Sequence, residues 1–122
     1  MIKVLQDKLL PPHGNCMDAC MASIFEISLS DCPNYSPNNP DWWDRIEEFV
    51  NSKGYDLLIG CKRCAEGYQI AVVDSPRGPW LHAVVAKDGV IVWDPHPDQD
   101  SYGLPIKEYD IIVKKGEEVK WI

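Results

Sequence analysis

Basic residues are scarce in this sequence. Among its 122 residues, Lys and Arg number 12 against 19 Asp and Glu, which gives a formal net charge of -7. Nucleic-acid backbones are bound largely through clustered Lys and Arg side chains, which release counterions as they neutralise phosphates. No such cluster occurs in the sequence. We therefore expect no nucleic-acid partner.

Long apolar runs are also lacking. The longest ones, such as IAVV and VIVW, fall far short of the roughly 20 residues that a transmembrane helix needs. The first residues, MIKVLQDKLLPPHG, do not contain the extended apolar segment typical of a secretory signal. We therefore expect no membrane association, and a cytoplasmic location.

The even set of cysteines that a disulfide framework would require is missing as well. The chain has 5 cysteines, an odd number, which fits a reducing compartment in which the thiols stay free. The remaining composition, 45% hydrophobic and 25% charged, is ordinary for a globular protein. The length allows one domain spanning residues 1–122 with a core of its own. The oligomeric state is left open.

The first half of the sequence carries helical patterns. Residues 2–6 predict a short strand, which the PPHG segment breaks. Apolar residues at helical spacing predict a helix over Asn15 to Ile27. A loop with the sequence SLSDCPNYSPNNPD follows, and Asp41 is placed to cap a second helix that ends at Gly54. The apolar face of that second helix consists of Trp42, Ile46, Phe49 and Val50.

The second half changes to strand-like patterns separated by Gly, Pro and Asp turns. Helices followed by strands indicate an α+β domain, in which the N-terminal helices pack on an antiparallel β-sheet. The predicted strands are Tyr55–Gly60, Tyr68–Val73, Trp80–Ala86, Val90–Trp93 and Ile106–Lys114.

The segment WLHAVVAKDGVIVWDPHP is typical of a β-hairpin. A three-residue loop, 87–89, would place Gly89 in the left-handed conformation and pair Ala86 with Val90. In this register His82 lies directly opposite Asp94 on the same face, with Cβ atoms about 4.5–5.5 Å apart. A carboxylate at that distance can orient an imidazole ring and stabilise its protonated form.

A second register for the same hairpin stays open. A two-residue Asp88-Gly89 turn would put His82 opposite Pro95 and leave Asp94 at a diagonal position. The pair also has a purely structural interpretation, in which a core histidine faces an aspartate at the end of a strand.

The segment GNCMDACMAS contains two cysteines one helical turn apart. Cys16 lies at or just inside the predicted helix start, where free N–H groups and the helix dipole stabilise a thiolate. Cys20 lies one turn deeper among Ala and Met residues, which predicts a core position. Cys16 is therefore the candidate nucleophile, and its alternative role is that of a small buried apolar side chain.

Three segments together, GNCMDACMAS, LHAVV and VWDP, resemble the papain-like cysteine peptidases. The resemblance is strongest to the peptidases of bacterial export systems that cleave leader peptides, and to their small stand-alone relatives. In order, the segments extend over most of the chain, from about residue 6 to residue 98. The resemblance implies a papain-like α+β fold and a thiol-dependent reaction.

The resemblance also implies roles for individual residues. Cys16 would be the nucleophile, His82 the general base and acid, and Asp94 the residue that orients the imidazole. A glutamine before the cysteine would donate to the oxyanion, and Gln6 is the upstream candidate, ten residues before Cys16. Asn15 or the backbone N–H of Cys16 would share that function.

Other residues are candidates for binding. Arg77 could bind a substrate carboxylate or phosphate, Trp80 could form a cleft wall, and His96 in the rigid DPHPD segment could line the cleft. Exposed turn or loop positions are the alternative for Arg77 and His96. Cys61 and Cys64 form a lone CxxC pair without the second ligand pair of a structural zinc site, so we expect no metal.

These observations together predict a thiol hydrolase or acyl-transfer enzyme that acts on an amide, isopeptide or thioester bond of a peptide or protein substrate, without a cofactor. Two alternatives stay open: a peptide-binding module of the same fold that does not cleave, and an interaction protein stabilised by zinc at the CxxC pair.

Overall fold

Two α-helices pack on a five-stranded antiparallel sheet in the computed structural model, which describes residues 1–10, 14–33 and 40–122. This arrangement confirms the α+β prediction. Part of the PPHG segment (11–13) and the middle of the predicted loop (34–39) lie outside the described residues. The elements are helices α1 (Cys16–Phe25) and α2 (Trp42–Ser52), a short 3₁₀ helix between them (Leu29–Asp31), and strands β1 (Tyr55–Cys61), β2 (Tyr68–Asp74), β3 (Leu81–Lys87), β4 (Val90–Trp93) and β5 (Ile106–Lys114).

Helix α1 begins one residue later than predicted and ends two residues earlier. Glu26 terminates it in the left-handed conformation, with φ of 58°, and its N–H donates to the Ala22 carbonyl oxygen. Seven of the ten helical residues are buried, so α1 is a core helix. Among the described residues, no helix has the length and apolarity needed to cross a membrane.

Helix α2 is amphipathic, as its sequence predicts. Ile46 and Val50 are fully buried, while Trp42 and Phe49 pack against the same core from partly buried positions. Asp41 is the N-cap residue, but its side chain makes no capping bond and accepts a hydrogen bond from Arg45 Nε at 3.1 Å. The helix ends at Ser52, and Gly54 follows with φ of 87°.

The sheet has the strand order β1-β5-β2-β3-β4, so the last strand of the chain is inserted between the first two. One face of the sheet forms the main core with both helices, through residues such as Met21, Ile70 and Ile112. A smaller apolar cluster around Val73 and Val84 covers the opposite face.

The prediction of a strand over residues 2–6 is wrong. This segment bonds to two separate parts of the chain, α1 and the end of β4 with the residues just after it, and so forms no strand ladder. Ile2 N–H donates to the Ser23 carbonyl oxygen at 3.0 Å, and Gln6 N–H donates to the Pro95 carbonyl oxygen at 2.9 Å. The Val4 carbonyl oxygen accepts from Trp93 Nε1 at 3.0 Å. The segment thereby joins the end of α1 to the end of β4.

The preferred hairpin register is also wrong. Lys87 pairs with Val90, so the turn has two residues, Asp88 and Gly89, both with positive φ (51° and 87°). Such values are those of a type I′ turn, which matches the strand twist better than the three-residue loop. A bulge after this turn then shifts the register, so that Val85 pairs with Trp93.

Replacing Ile46 with Ala tests the packing of α2. The side chain is 0% exposed, so its truncation leaves a cavity, and we expect a loss of about 2–5 kcal/mol in the free energy of unfolding. Glu47→Ala on the exposed face of the same helix is the control, with an expected change within about 0.5 kcal/mol. Equal midpoints of urea denaturation for the two variants would contradict the described packing.

Candidate functional site

A cleft of about 410 Å³ lies beside the N-terminus of α1. Its walls come from widely separated parts of the chain: the segment before α1, the first turns of both helices, the start of β3 and the middle of β5. The lining residues include Gln6, Cys16, Trp42, Trp43, Val72, Arg77, Trp80, His82, Ala83, Glu108 and Asp110.

Cys16 is the first residue of α1 and is half-buried at the cleft wall. Its backbone N–H is one of the four that no intrahelical carbonyl satisfies at a helix start. Its Sγ accepts a hydrogen bond from the Ala83 N–H at 3.5 Å, which ties the thiol to β3. The sulfur therefore lies at the positive end of the α1 dipole and accepts a hydrogen bond from the sheet.

His82 connects the thiol to a carboxylate. Its Nε2 is 2.7 Å from Asp94 Oδ1, and both side chains are buried, at 3% and 0% exposure. The other ring nitrogen, Nδ1, is not used by Asp94, and the Cys16 side chain is close enough to the ring to raise the pKa of His82. Although the strand ladder does not pair His82 with Asp94, the two side chains meet because Asp94 directly follows the end of β4.

The two pKa values move in the directions that an ion pair requires. Burial by itself would lower the pKa of His82, but hydrogen bonds with Asp94 and Cys16 outweigh it and raise the pKa to about 9. Burial by itself would raise the pKa of Asp94, but hydrogen bonds from His82 and the His96 N–H outweigh it and lower the pKa to about 2. Around neutral pH the pair therefore carries an imidazolium and a carboxylate.

A loop of residues 95–102 surrounds the Asp94 carboxylate. Oδ1 also accepts from the His96 N–H at 2.9 Å, and Oδ2 accepts from the Ser101 N–H at 3.0 Å. Gln99, with φ of 53°, donates its side-chain amide to the Asp94 and His96 carbonyl oxygens, while Tyr102 Oη accepts from the Asp94 N–H. Sequence reasoning missed the roles of Gln99, Ser101 and Tyr102 because no periodic pattern marks them.

Gln6 lies in the cleft wall despite its distance from Cys16 in sequence. The Lys8 carbonyl oxygen accepts from both the Asn15 N–H at 3.1 Å and Gln6 Nε2 at 2.9 Å, which closes the intervening segment. Gln6 Oε1 is buried, and among the described residues it has no hydrogen-bond partner. The side chain is thus held with one amide N–H still uncommitted within the described part of the chain.

Asn15 makes hydrogen bonds to the segment that precedes α1. Its Oδ1 accepts from the N–H groups of Asp7 and Lys8 at 3.2 and 3.0 Å, and its Nδ2 donates to Asp7 Oδ1 at 2.7 Å. The side chain therefore holds the segment before α1. One N–H of the amide donates to Asp7, and the residue also lines the cleft.

Two of the three candidate binding residues line the cleft. Arg77 forms an ion pair with Asp100, and the Trp80 ring lies against Gly78, where an added Cβ would clash with it at 2.1 Å. His96 lies outside the cleft lining, with its ring centroid 6.2 Å from that of His82. Its Nδ1 accepts from the Asp98 N–H, and burial lowers its pKa, so the ring is neutral.

The remaining cysteines lie in different environments. Cys20 and Cys32 are buried, and burial raises the pKa of both thiols, that of Cys32 to about 12. Cys61 and Cys64 are half-buried and free. In residues 1–10, 14–33 and 40–122, no group of three His, Cys, Asp or Glu side chains could hold a metal ion.

Two acidic residues of the cleft, Glu108 and Asp110, had no signal in the sequence, because β5 looks like an ordinary strand. They lie two residues apart and so share one face of the strand. Asp110 is 1% exposed, and its Oδ1 accepts from the Gly60 N–H at 3.1 Å. Burial and the negative charge of Glu108 raise the pKa of Asp110 to about 6.

The CxxC pair gives a first prediction for the site. We expect Cys61→Ser with Cys64→Ser to change the free energy of unfolding by less than about 1 kcal/mol, because both thiols are near the surface. Elemental analysis of the purified protein should find no stoichiometric zinc. The zinc-stabilised alternative would be established if the native protein held one equivalent of zinc and the double variant lost both the zinc and its stability.

Asp110→Asn should stabilise the protein at pH 7, by about 1–3 kcal/mol, because it removes a buried charge whose pKa is raised from 3.8 to about 6. Between pH 3.8 and about pH 6 the folded state binds more protons than the unfolded state. The destabilisation that Asp110 causes therefore grows as the pH rises and is complete above about pH 6. Urea denaturation should therefore show a larger gain at pH 7 than at pH 4.5. A pH-independent difference would contradict this, and the exposed Asp56→Asn is the control.

Comparison with known proteins adds no relative to this description. No family model matches the chain, and searches of curated proteins and of solved structures find no match.

Proposed function

We propose that this protein is a papain-like thiol hydrolase or acyl-transfer enzyme acting on an amide, isopeptide or thioester bond of a peptide or protein. The observation that carries the proposal is the connected set of Cys16, His82 and Asp94 at one wall of an open cleft. A cysteine at a helix N-terminus, an imidazole within reach and a carboxylate orienting that imidazole are the elements of nucleophilic thiol catalysis.

The reaction starts with His82 as the imidazolium and Cys16 as the thiolate, the state in which the thiol proton already resides on Nδ1 of the ring. In the first step, the thiolate attacks the substrate carbonyl carbon, and the carbonyl electron pair moves onto the oxygen. The imidazolium then donates its proton to the leaving nitrogen, or to the sulfur of a thioester, as the bond to the carbonyl carbon breaks. The product is an acyl-thioester on Cys16, and His82 is neutral once it has given up its proton.

The oxyanion of this step needs hydrogen-bond donors fixed in advance. The Cys16 backbone N–H and Gln6 Nε2 are the candidates, because both belong to the cleft wall. Lys8 and Pro95 carbonyl oxygens hold Gln6 by its side chain and backbone, so the amide is positioned before substrate arrives. Asn15 contributes indirectly by holding the segment that carries Gln6.

In the second step, a water molecule or an amine resolves the thioester. Neutral His82 removes a proton from this nucleophile, which attacks the acyl carbon, and the thiolate leaves. Asp94 keeps Nε2 protonated throughout, so Nδ1 stays directed at the reacting atoms. The depth of Asp94, at 0% exposure, keeps water from competing for this hydrogen bond.

Selective alkylation tests the reactive thiol. At pH 6, we expect iodoacetamide to modify Cys16 before the other four cysteines, because His82 and the helix N-terminus stabilise its thiolate. His82→Ala should slow this labelling by at least about tenfold. Asp94→Asn should slow it less, since the imidazole remains but loses its orienting partner. Mass spectrometry of tryptic peptides identifies the labelled site and gives its rate.

The labelling pattern also separates this function from a binding module of the same fold. A module that does not cleave would show no preference for Cys16 and no dependence on His82. Cys64, which is half-buried and away from the cleft, is the internal reference for an ordinary thiol. Equal rates at Cys16 and Cys64 in the folded protein would overturn the proposed function.

A further inference from the structure

The end of the cleft formed by β5 is acidic. Glu108 and Asp110 line it, and Asp18 from α1 lines the same cleft, whereas Arg77 and His82 are the basic residues among the lining side chains described. His82 is paired with Asp94. Arg77 is already paired with Asp100. The described cleft lining therefore has an excess of negative charge.

Asp110 is the unusual member of this group. The residue is only 1% exposed, and its buried Oδ2 has no hydrogen-bond partner within the described residues. Its neighbour Glu108 adds like charge, and the pKa of Asp110 is raised to about 6, first by burial and then by Glu108. A buried carboxylate with an unsatisfied oxygen costs stability unless a cation or donor pairs with it. The fold does not supply that partner in the residues described.

The register of the sheet sets the distance from this acid pair to the thiol. Ala83, whose N–H contacts Cys16 Sγ, pairs with Val72, and Val72 pairs with Glu108. Two strand spacings separate Ala83 from Glu108, which is roughly 10 Å. A lysine or arginine side chain within one or two residues of a carbonyl held at Cys16 can span that distance.

The cleft walls suit the aliphatic part of such a side chain. Trp42 and Trp43 form a ring pair with centroids 4.5 Å apart, and both line the cleft together with Leu9 and Leu81. At the rim, the Lys62 ammonium is 3.5 Å from Glu108 Oε2 although its side chain is 77% exposed. Glu108 thus already pairs with one cation of the chain.

From these contacts we propose that Glu108 and Asp110 form a subsite for a lysine or arginine side chain of the substrate, close to the bond at which Cys16 reacts. The ammonium or guanidinium group donates to Asp110 Oδ2 and Glu108, and the aliphatic stem packs between the tryptophan pair and Leu81. This inference rests on the proposed function for its substrate class, but binding at the acid pair does not require a reactive thiol.

A matched pair of alkylating reagents tests the subsite. N-(5-aminopentyl)iodoacetamide carries a cationic tail, and N-pentyliodoacetamide is its neutral counterpart; with each, the Cys16 thiolate forms a C–S bond and releases iodide. After normalisation to glutathione, we expect the cationic reagent to modify Cys16 about tenfold faster, because charge-assisted hydrogen bonds hold its tail. Asp110→Asn and Glu108→Gln should each reduce that ratio severalfold, and together they should bring it close to one.

Glu118→Gln is the matched control, since it removes one exposed negative charge outside the cleft. It should leave the ratio unchanged. A ratio near one in the native chain would overturn the subsite, and so would an equal loss in the Glu118→Gln variant, which would indicate a general effect of net charge. Denaturation curves of the Asp110→Asn variant establish that it is folded during the measurement.

A second measurement remains decisive if Cys16 proves unreactive. Nα-acetyl-lysine methylamide is titrated into the Cys16→Ala variant, and the NMR shift of the Gly60 amide, which donates to Asp110 Oδ1, reports binding. The norleucine analogue is the neutral control. Saturable shifts with the lysine probe, absent in Asp110→Asn, support the subsite even if the proposed reaction fails. Equal shifts with both probes, or none, overturn it.

Discussion

The buried carboxylate of Asp94 is the constraint on which the site depends. It accepts hydrogen bonds from the His82 ring and from the backbone N–H groups of His96 and Ser101, which fill both oxygens. Three donors compensate the loss of water, so the group stays ionised with a pKa of about 2. Because this pKa is lowered, the ionised carboxylate stabilises the folded state at every pH above the ordinary pKa of 3.8. That stabilisation is lost as the pH falls through about 2.

The contrast between Asp94 and Asp110 shows how donors, rather than depth, decide the state of a buried acid. Both are almost fully buried, at 0% and 1% exposure. Asp94 has three donors, whereas Asp110 has the Gly60 N–H and a like-charged neighbour. The pKa is therefore lowered at one residue and raised at the other. The first arrangement serves proton transfer, and the second leaves an oxygen for the ligand that we propose.

The beginning of the chain completes the cleft through hydrogen bonds instead of a strand. Gln6 reaches the wall because Lys8 and Asn15 close the segment before α1, and because the Pro95 carbonyl oxygen accepts from its N–H. Pro95 directly follows Asp94, so the same loop that holds the carboxylate also holds the glutamine. Substitutions in that loop should consequently disturb both the orienting carboxylate of Asp94 and the proposed oxyanion donor Gln6.

Local patterns in the sequence determined the class of the fold, the approximate bounds of both helices and the extents of β4 and β5. Helical periodicity also distinguished the half-buried first position at Cys16 from the core position of Cys20, because that period depends only on neighbours a few residues away. Tertiary structure decided what depends on distant partners. The bulge that shifts β3 against β4, the path of residues 2–6 and the position of Asp110 at the cleft all follow from contacts between segments tens of residues apart. The sequence of β5 is that of an ordinary strand. Glu108 and Asp110 line the cleft only because the sheet places that strand beside β2.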